Sequence, residues 1–302
     1  MSPRIAVFTK NLVNPGYQSA RIGAERTAGR LGATVTHYVP RKPDDVDEQI
    51  ALIGQAIREK PDAIVFVPVH ETAVNDAILQ FDAAGIPLFN IVSKTTAGQR
   101  VCFVGSDDRA LGRDIARYLF DRLGGRGDIV IVEGAGASPT SRNRLLGFQD
   151  TLANYPGITV RASLRGEYMR DVARKVWLFA DDQLDGIDAV LSANDHMALG
   201  VIDAMTERGV TKLPPMVGIN AIPDAIVEIA AGRMLATANF DPMAMSAIAV
   251  EAAVRHLGRE RVPAEIILPV EIIDAGNGAA WNQPYAARPL PVWDRVMAEA
   301  SA

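Results

Sequence analysis

The sequence has little of what several classes of protein require. It contains a single cysteine, Cys102, so it can form neither an intramolecular disulfide nor a cysteine-ligated zinc site. No apolar run reaches the roughly 18 residues that a membrane-spanning helix needs. Lys and Arg are dispersed and the net charge is -5 at pH 7, which argues against nucleic acid or an anionic membrane as a partner.

Catalytic and cofactor motifs are also missing. The 4 histidines lie far apart and outside any HExxH or GxSxG context. His196 falls on the first turn of a predicted helix, where we expect it to face solvent. The acidic pair Asp107-Asp108 lies at a helix start, which capping and the helix dipole explain. "GAGASP" lacks the third glycine of a dinucleotide fingerprint and has no Walker lysine. We therefore expect no enzymatic activity, no catalytic residue, no cofactor and no metal site.

The pattern that is present is an alternation of short β-branched runs with longer amphipathic stretches. Stretches such as "YQSARIGAERTAGRLG" carry apolar residues at spacings of three and four, as helices do. Strict alternation of strands and helices predicts an α/β fold with doubly wound parallel sheets. The predicted strands are Ile5 to Thr9, Thr34 to Val39, Ala63 to Val67, Leu88 to Val92, Val101 to Val104, Ile129 to Val132, Thr159 to Ala162, Ala189 to Leu191, Met216 to Ile219 and Ala236 to Asn239.

The alternation occurs in two blocks, which predicts two lobes in a chain of 302 residues. After the second block, "DPMAMSAIAVEAAVRHLGRE" predicts a helix that returns to the first lobe, and "AEIILPVEII" a strand that crosses back. We therefore assign 1–107 plus 241–271 to an N-terminal lobe and 108–240 plus 272–302 to a C-terminal lobe, with short hinge crossings and a ligand cleft between them.

The C-terminal tail, "AGNGAAWNQPYAARPLPVWDRVMAEASA", is rich in proline and carries Trp281 and Trp293. An exposed, disordered segment seldom contains two tryptophans. We expect the tail to pack on the surface of one lobe. Because 272–302 is assigned to the C-terminal lobe, that lobe is the one expected.

Polar and aromatic side chains follow the predicted strands. Ligands of open parallel sheets bind beyond the carboxyl ends of the strands, and the segments there include "TKNLVNPGY", "NIVSK", "EGAGASPTSRNR", "RGEYMR", "SANDH", "GINAIPD" and "NFDP". Asn both donates and accepts hydrogen bonds, Arg binds adjacent oxygens, and aromatic rings stack on apolar faces. This mixture suits a neutral polyhydroxylated ligand.

The sequence resembles a known family, the type I periplasmic binding proteins of the ribose and galactose group. These proteins are solute receptors of sugar ABC transporters. The resemblance rests on "NPGYQSARIGAERTAGRLG", "GIPLFNI", "VGSDDRALGRDIARYL", "EGAGASPTSRNRLLGF", "LSANDHMALG", "VGINAIPDAI" and "GRMLATANFDP". These stretches cover almost the whole chain in the family's order. The resemblance implies a protein that captures a neutral sugar or sugar alcohol by hinge closure.

The resemblance also implies which residues contact the ligand. In "SAND" it makes Asn194 the ligand amide, whereas Asp195 is expected to cap the following helix. Asn14 could instead belong only to a turn, and Phe240 could fill the core near a hinge. The expected ligand-binding residues are Asn14, Tyr17, Asn90, Ser93, Ser106, Arg144, Tyr168, Asn194, Asn220 and Phe240.

The chain departs from the family pattern at several strand ends. Ribose binders place Asp-Arg where this chain has Val92-Ser93, and a ligand Asn is common where the third strand ends here in Val67-Pro68. Asn220 stands where the family often has an aspartate. A pyranose held between an aspartate and an arginine is therefore not expected. A ligand with fewer hydroxyls, a linear polyol or a differently oriented sugar fits better.

The resemblance implies an ABC transporter permease as partner, a monomeric protein and a periplasmic location. The N-terminus enters a strand almost at once, so we expect the export signal to be absent from this sequence. The alternative functions are a ligand-sensing domain related to lactose-repressor-type effector domains and a periplasmic sensor for a signalling receptor. A repressor would need an N-terminal helix-turn-helix, for which we find no room before Arg4.

Overall fold

The protein consists of two compact units, which the computed structural model describes over residues 2–180 and 184–300. Unit 1 contains the chain up to Ser106, Asp241–Pro269 and the segment from Tyr285 onward. Unit 2 contains Asp107–Phe240 and Val270–Pro284. Positions 1, 301 and 302, which fall at the ends of the predicted lobes, lie outside the described residues.

Unit 1 is built on a six-stranded sheet in which every neighbouring pair of strands is parallel. The central strands of the sheet are buried along almost their whole length, as is typical of parallel sheets that carry helices on both faces. The six strands are β1 (Arg4–Phe8), β2 (Thr34–Tyr38), β3 (Ala63–Phe66), β4 (Leu88–Ile91), β5 (Arg100–Gly105) and β11 (Glu265–Ile267), in the order β11-β5-β4-β3-β1-β2.

The helices of unit 1 pack against this sheet and against one another. They are α1 (Pro15–Leu31), α2 (Val46–Glu59), α3 (Asn75–Ala83), α9 (Pro242–Leu257) and α10 (Trp293–Ala300). α1 lies against α9 so closely that a Cβ on Gly23 would overlap the backbone of Met243. The return of α9 to the first unit agrees with the sequence prediction.

Unit 2 repeats the architecture with a sheet that is parallel except at one edge. Its strands are β6 (Arg126–Glu133), β7 (Gly157–Arg165), β8 (Ala189–Ser192), β9 (Met216–Ile219), β10 (Ala236–Ala238) and β12 (Ile272–Asp274), in the order β12-β10-β9-β8-β6-β7, with β12 antiparallel to β10. Its helices are α4 (Asp108–Arg122), α5 (Pro139–Leu152), α6 (Arg170–Phe179), α7 (Asp195–Glu207) and α8 (Pro223–Ala230).

The predicted fold class is confirmed, and each predicted strand is present in the sheet of its unit. The single strand predicted over "AEIILPVEII" is wrong in one respect. It is divided into β11 and β12 by Leu268-Pro269-Val270-Glu271, because the chain leaves unit 1 after Pro269 and proline cannot donate a ladder hydrogen bond.

The position predicted for the C-terminal tail is wrong from Tyr285 onward, because that segment belongs to unit 1, whereas Val270–Pro284 belongs to unit 2. Arg26 on α1 donates hydrogen bonds from Nη1 to the carbonyl oxygens of Tyr285, at 3.3 Å, and Arg288, at 2.7 Å. The Arg255 guanidinium on α9 lies 4.9 Å from the centre of the buried Trp293 ring. None of the described helices is long and apolar enough to span a membrane.

Candidate functional site

The candidate site of unit 2 lies where its parallel strands end. β6, β8, β9 and β10 run in the same direction, so their carboxyl ends reach one edge of the sheet. The segments that follow them contain Gly134, Ala193-Asn194, Asn220 and Phe240. This edge is the place where ligands of open α/β sheets bind.

Arg144 is the centre of this group. It lies on α5 and its side chain is only 2% exposed. Its Nε donates to Oδ1 of Asp108 at 2.9 Å, and its Nη1 donates to the carbonyl oxygen of Ala193 at 2.7 Å. A buried guanidinium is tolerated only with a counter-ion and hydrogen-bond acceptors, and Asp108 and Ala193 provide them.

Aromatic rings lie beside the Arg144 guanidinium. Its Cζ is 4.6 Å from the ring centre of Phe240 and 5.9 Å from that of Tyr168. Cations are attracted to the faces of aromatic rings at such distances. The Tyr168 ring in turn lies over Gly134, where an added Cβ would overlap ring carbons. The structure therefore brings together Arg144, Tyr168 and Phe240, and their contact with a ligand stays a prediction.

The loops that hold Tyr168 and Asn220 have unusual backbone conformations. Glu167 and Tyr168 have φ values of 52° and 60°, and Asn220 and Ala221 have φ values of 117° and 47°. Positive φ costs a non-glycine residue of the order of 1–2 kcal/mol, and such residues cluster at functional sites. The Asn220 side chain donates from Nδ2 to the carbonyl oxygen of Phe240 at 3.4 Å, which joins Asn220 to the same group.

The helix cap predicted at Asp195 is wrong, whereas the contact of Asn194 with a ligand stays a prediction. Asn194 is the N-cap of α7, because its Oδ1 accepts the hydrogen bond from the backbone N–H of Met197 at 2.8 Å. Asp195 is fully buried instead. It accepts from the hydroxyl of Thr237 at 2.7 Å and from the backbone N–H of Ile222 at 3.0 Å. Asp195 therefore ties α7 to β10 and to the start of α8.

The prediction that His196 faces solvent is wrong. It is half-buried, and its Nδ1 lies 3.3 Å from the carbonyl oxygen of Tyr168. Burial lowers the pKa of His196, against the effect of that hydrogen bond. The imidazole therefore supports the Tyr168 loop.

The interpretation of Asp107-Asp108 as capping residues holds for one of the pair. Asp107 is the N-cap of α4 and accepts from the backbone N–H groups of Arg109 and Ala110. Asp108 is buried and pairs with Arg144. Burial raises the pKa of Asp108 to about 6, although the adjacent Arg144 and a hydrogen bond from Thr140 act to lower it.

In unit 1, Asn14 and Tyr17 lie where α1 begins. Asn14 is the N-cap of α1, since its Oδ1 accepts from the backbone N–H of Gly16 at 2.9 Å, and its own backbone N–H donates to Oδ1 of Asn11 at 2.9 Å. Tyr17 is half-buried on the first turn of α1. Their contact with a ligand stays a prediction.

Asn90 and Ser93 hold a tight turn after β4. The buried Asn90 amide donates to the carbonyl oxygens of Phe66, at 2.9 Å, and Ser93, at 2.8 Å, and accepts from the backbone N–H of Thr95 at 2.9 Å. Val92, which lies between Asn90 and Ser93 in the chain, has a φ of 67°. This conformation is strained for a β-branched residue. The hydrogen bonds of Asn90 maintain that conformation, so its side chain shapes the loop.

Ser106 ends the first segment of unit 1, where its hydroxyl donates to the carbonyl oxygen of Leu268 at 3.2 Å. The contact of Ser106 with a ligand stays a prediction. Ser106 and Leu268 lie at the ends of two segments of unit 1. After each of these segments the chain continues into unit 2.

Sequence reasoning missed a polar group at the end of β1. Lys10 and Asn11 are buried there, and Nδ2 of Asn11 donates to Oδ1 of Asp44 at 3.3 Å. Burial raises the pKa of Asp44, whereas Lys10 acts to lower it. The available signal was a lysine and an asparagine directly after an apolar strand.

Similarity to known proteins identifies the family of this chain. The model of the periplasmic binding protein domain family matches residues 5–261. The chain belongs to this family. A xylitol-binding protein of Mycolicibacterium smegmatis is 33% identical over 64% of this chain and 56% of that protein. The D-allose-binding periplasmic protein of Escherichia coli is 28% identical over 78% of this chain and 79% of that protein.

Solved structures of the periplasmic binding protein family have the same fold. An ABC transporter periplasmic solute-binding protein from Actinobacillus succinogenes, solved with bound D-allose, has a TM-score of 0.86 and 27% identity over 92% of this chain and 99% of that chain. Members of the family are binding proteins for transport, and this chain is likewise a binding protein and not an enzyme.

Proposed function

We propose that this protein is the solute-binding component of an ABC importer and that its solute is a neutral sugar or sugar alcohol. The observation that carries the proposal is the arrangement of Arg144 beside the rings of Phe240 and Tyr168 at the carboxyl ends of the strands of unit 2. The relatives named above, which bind xylitol and D-allose, support it.

The electrostatics of this group favour a neutral solute. Asp108 balances the charge of Arg144 within the protein, so the guanidinium offers directed N–H groups without a net positive charge that would attract anions. Asn220, in place of the aspartate common in the family, adds no charge. A neutral polyol needs this combination of fixed donors, amides and flat apolar rings.

We propose distinct roles for the amides of unit 2. The Oδ1 atom of Asn194 is engaged by Met197, and among the described residues we find no acceptor for its Nδ2. Nδ2 is the atom through which Asn194 would donate to a solute hydroxyl. The Oδ1 of Asn220 is the corresponding acceptor, because its Nδ2 is directed at Phe240.

Hinge motion is typical of this fold, and we propose that the solute stabilises the closed form by its preference for that form. The closed protein then delivers the solute to a membrane permease. We further propose that the protein acts in the periplasm and as a monomer. Light scattering with and without solute tests the monomer, for which a single species near 32.4 kDa is expected.

A thermal-shift screen tests the proposed function. The panel contains D-allose, D-ribose, L-arabinose, myo-inositol, xylitol and glycerol, with gluconate as an anionic control of similar size. A solute that binds only the native state raises stability by about 2.7 kcal/mol at 100 times its dissociation constant. We expect a saturable shift with a neutral member, none with gluconate, and recovery of the solute unchanged. The absence of any shift contradicts the proposal.

A further inference from the structure

Arg144 is held on two of its edges by groups that come from different elements. Asp108, on the first turn of α4, accepts from Nε, and the carbonyl oxygen of Ala193, just after β8, accepts from Nη1. The faces of the guanidinium lie near Phe240 and Tyr168. Of these partners only Asp108 carries charge, so it determines whether the buried cation is neutralised.

The Asp108–Arg144 pair is not needed to join α4 to α5. A second ion pair between these helices, at the surface, links Asp150 to Arg109 at 2.7 Å and to Arg113 at 3.2 Å. The glycines Gly112 and Gly147 also let the helix backbones approach closely. A buried ion pair adds little to stability over an apolar contact, which favours another role for Asp108.

We propose that Asp108 is a positioning residue of the solute site: its ionised carboxylate fixes the Arg144 guanidinium in the orientation that binds the solute. The proposal rests on the proposed function. It adds that solute affinity depends on the ionisation of a group that does not itself bind the solute.

The surroundings of Asp108 leave few other groups to influence its charge. Arg144 and the Thr140 hydroxyl of α5 face it, and Asp107 precedes it on its own helix. The strands packed against α4, which are β8, β9 and β10, carry no ionisable side chain. Because burial raises the pKa of Asp108 to about 6, the carboxylate is ionised at pH 8 and mostly protonated at pH 5.

The test compares Asp108→Asn with Asp150→Asn, which removes the surface ion pair between the same helices. Calorimetric titrations with D-allose and with xylitol are run from pH 8 to pH 5. If only protein with an ionised Asp108 binds the solute, the affinity of the wild type for the solute falls about tenfold from pH 8 to pH 5. Asp108→Asn is expected to bind about tenfold more weakly at pH 8 and to show a flat profile. Asp150→Asn is expected to follow the wild type.

A second measurement needs no solute. The ¹⁵N–¹H signal of the Arg144 Nε, assigned with Arg144→Lys, is followed by NMR over the same pH range. We expect it to shift with a midpoint near pH 6 in the wild type and in Asp150→Asn, and to keep its low-pH position throughout in Asp108→Asn. Either of two results overturns the proposal. In one, the Arg144 Nε signal of Asp108→Asn shifts with pH as it does in the wild type. In the other, the solute affinity of Asp108→Asn has the same pH profile as that of the wild type. If neither D-allose nor xylitol binds, the NMR result still decides whether Asp108 positions Arg144, and the other neutral members of the thermal-shift panel decide the proposed function.

Discussion

The guanidinium of Arg144 lies 4.6 Å from the ring centre of Phe240, and both side chains are buried in unit 2. The two residues are separated by nearly 100 positions in the chain, and each follows a different strand of one sheet. The parallel arrangement of these strands creates the contact. A cation that is held beside an aromatic ring and paired with a carboxylate is both anchored and charge-balanced.

Replacing Arg144 with alanine is expected to lower the free energy of unfolding by about 3–5 kcal/mol, because it leaves the Asp108 carboxylate buried without its partner. Urea denaturation at pH 8 measures the loss. Arg142→Ala, which changes an exposed arginine of the same helix, is the control and is expected to have little effect. The double variant with Asp108→Asn is expected to regain part of the stability. Equal losses in Arg144→Ala and Arg142→Ala would contradict the account.

Gly134→Ala is expected to displace the Tyr168 ring, since the new Cβ would overlap it. Solute affinity should fall at least tenfold, as measured by calorimetry. The matched control is Gly136→Ala in the same loop, whose Cβ would be 3.4 Å from Cζ of Arg165, at the edge of ordinary contact. If both variants bind as tightly as the wild type, Tyr168 does not contribute to the site.

Asp150→Asn is expected to lower the thermal midpoint at neutral pH but not in strong acid. Arg109 and Arg113 lower the pKa of Asp150 to about 2, so its ionised form stabilises the folded state above the ordinary aspartate pKa, and this contribution is lost as pH falls through 2. Scanning calorimetry at pH 7, 4 and 2 should show the difference from wild type becoming smaller toward pH 2. A difference that stays constant over this range would rule out the ion pair as its source.

Arg26→Met is expected to release the C-terminal segment from unit 1, because it removes the hydrogen bonds to the carbonyl oxygens of Tyr285 and Arg288. Tyr285 is only 8% exposed and is followed by alanine, so chymotrypsin should cut after it several times faster in the variant. Mass spectrometry of timed digests measures the rate. Arg58→Met on α2 is the control, and an unchanged rate in Arg26→Met would show that the segment is held by other contacts.

The strands and the doubly wound fold were predictable because their signals are local. β-branched runs and helical periodicity are written along the sequence, and parallel order follows from their alternation. The path of the C-terminal segment was not predictable, because its partner Arg26 lies far away in the sequence. The helical spacing of Trp293, Val296 and Met297 does not indicate which unit the segment joins.

The candidate site was predictable in part for the same reason. The segments after the strands are local features, and the family resemblance selected Arg144 and Phe240 within them. Asn194 and Asp195 are both good caps, and only the tertiary partners Thr237 and Ile222 determine which one is buried. The partner of Arg144 was missed because Asp108 follows an aspartate that already explains the helix start.

A crystal structure with the best solute from the screen tests the central claim most directly. The account predicts electron density for the solute within hydrogen-bond distance of the Arg144 guanidinium and in contact with the ring of Tyr168 or Phe240. A solute bound elsewhere on the protein, with Arg144 in contact only with Asp108 and Ala193, would contradict it.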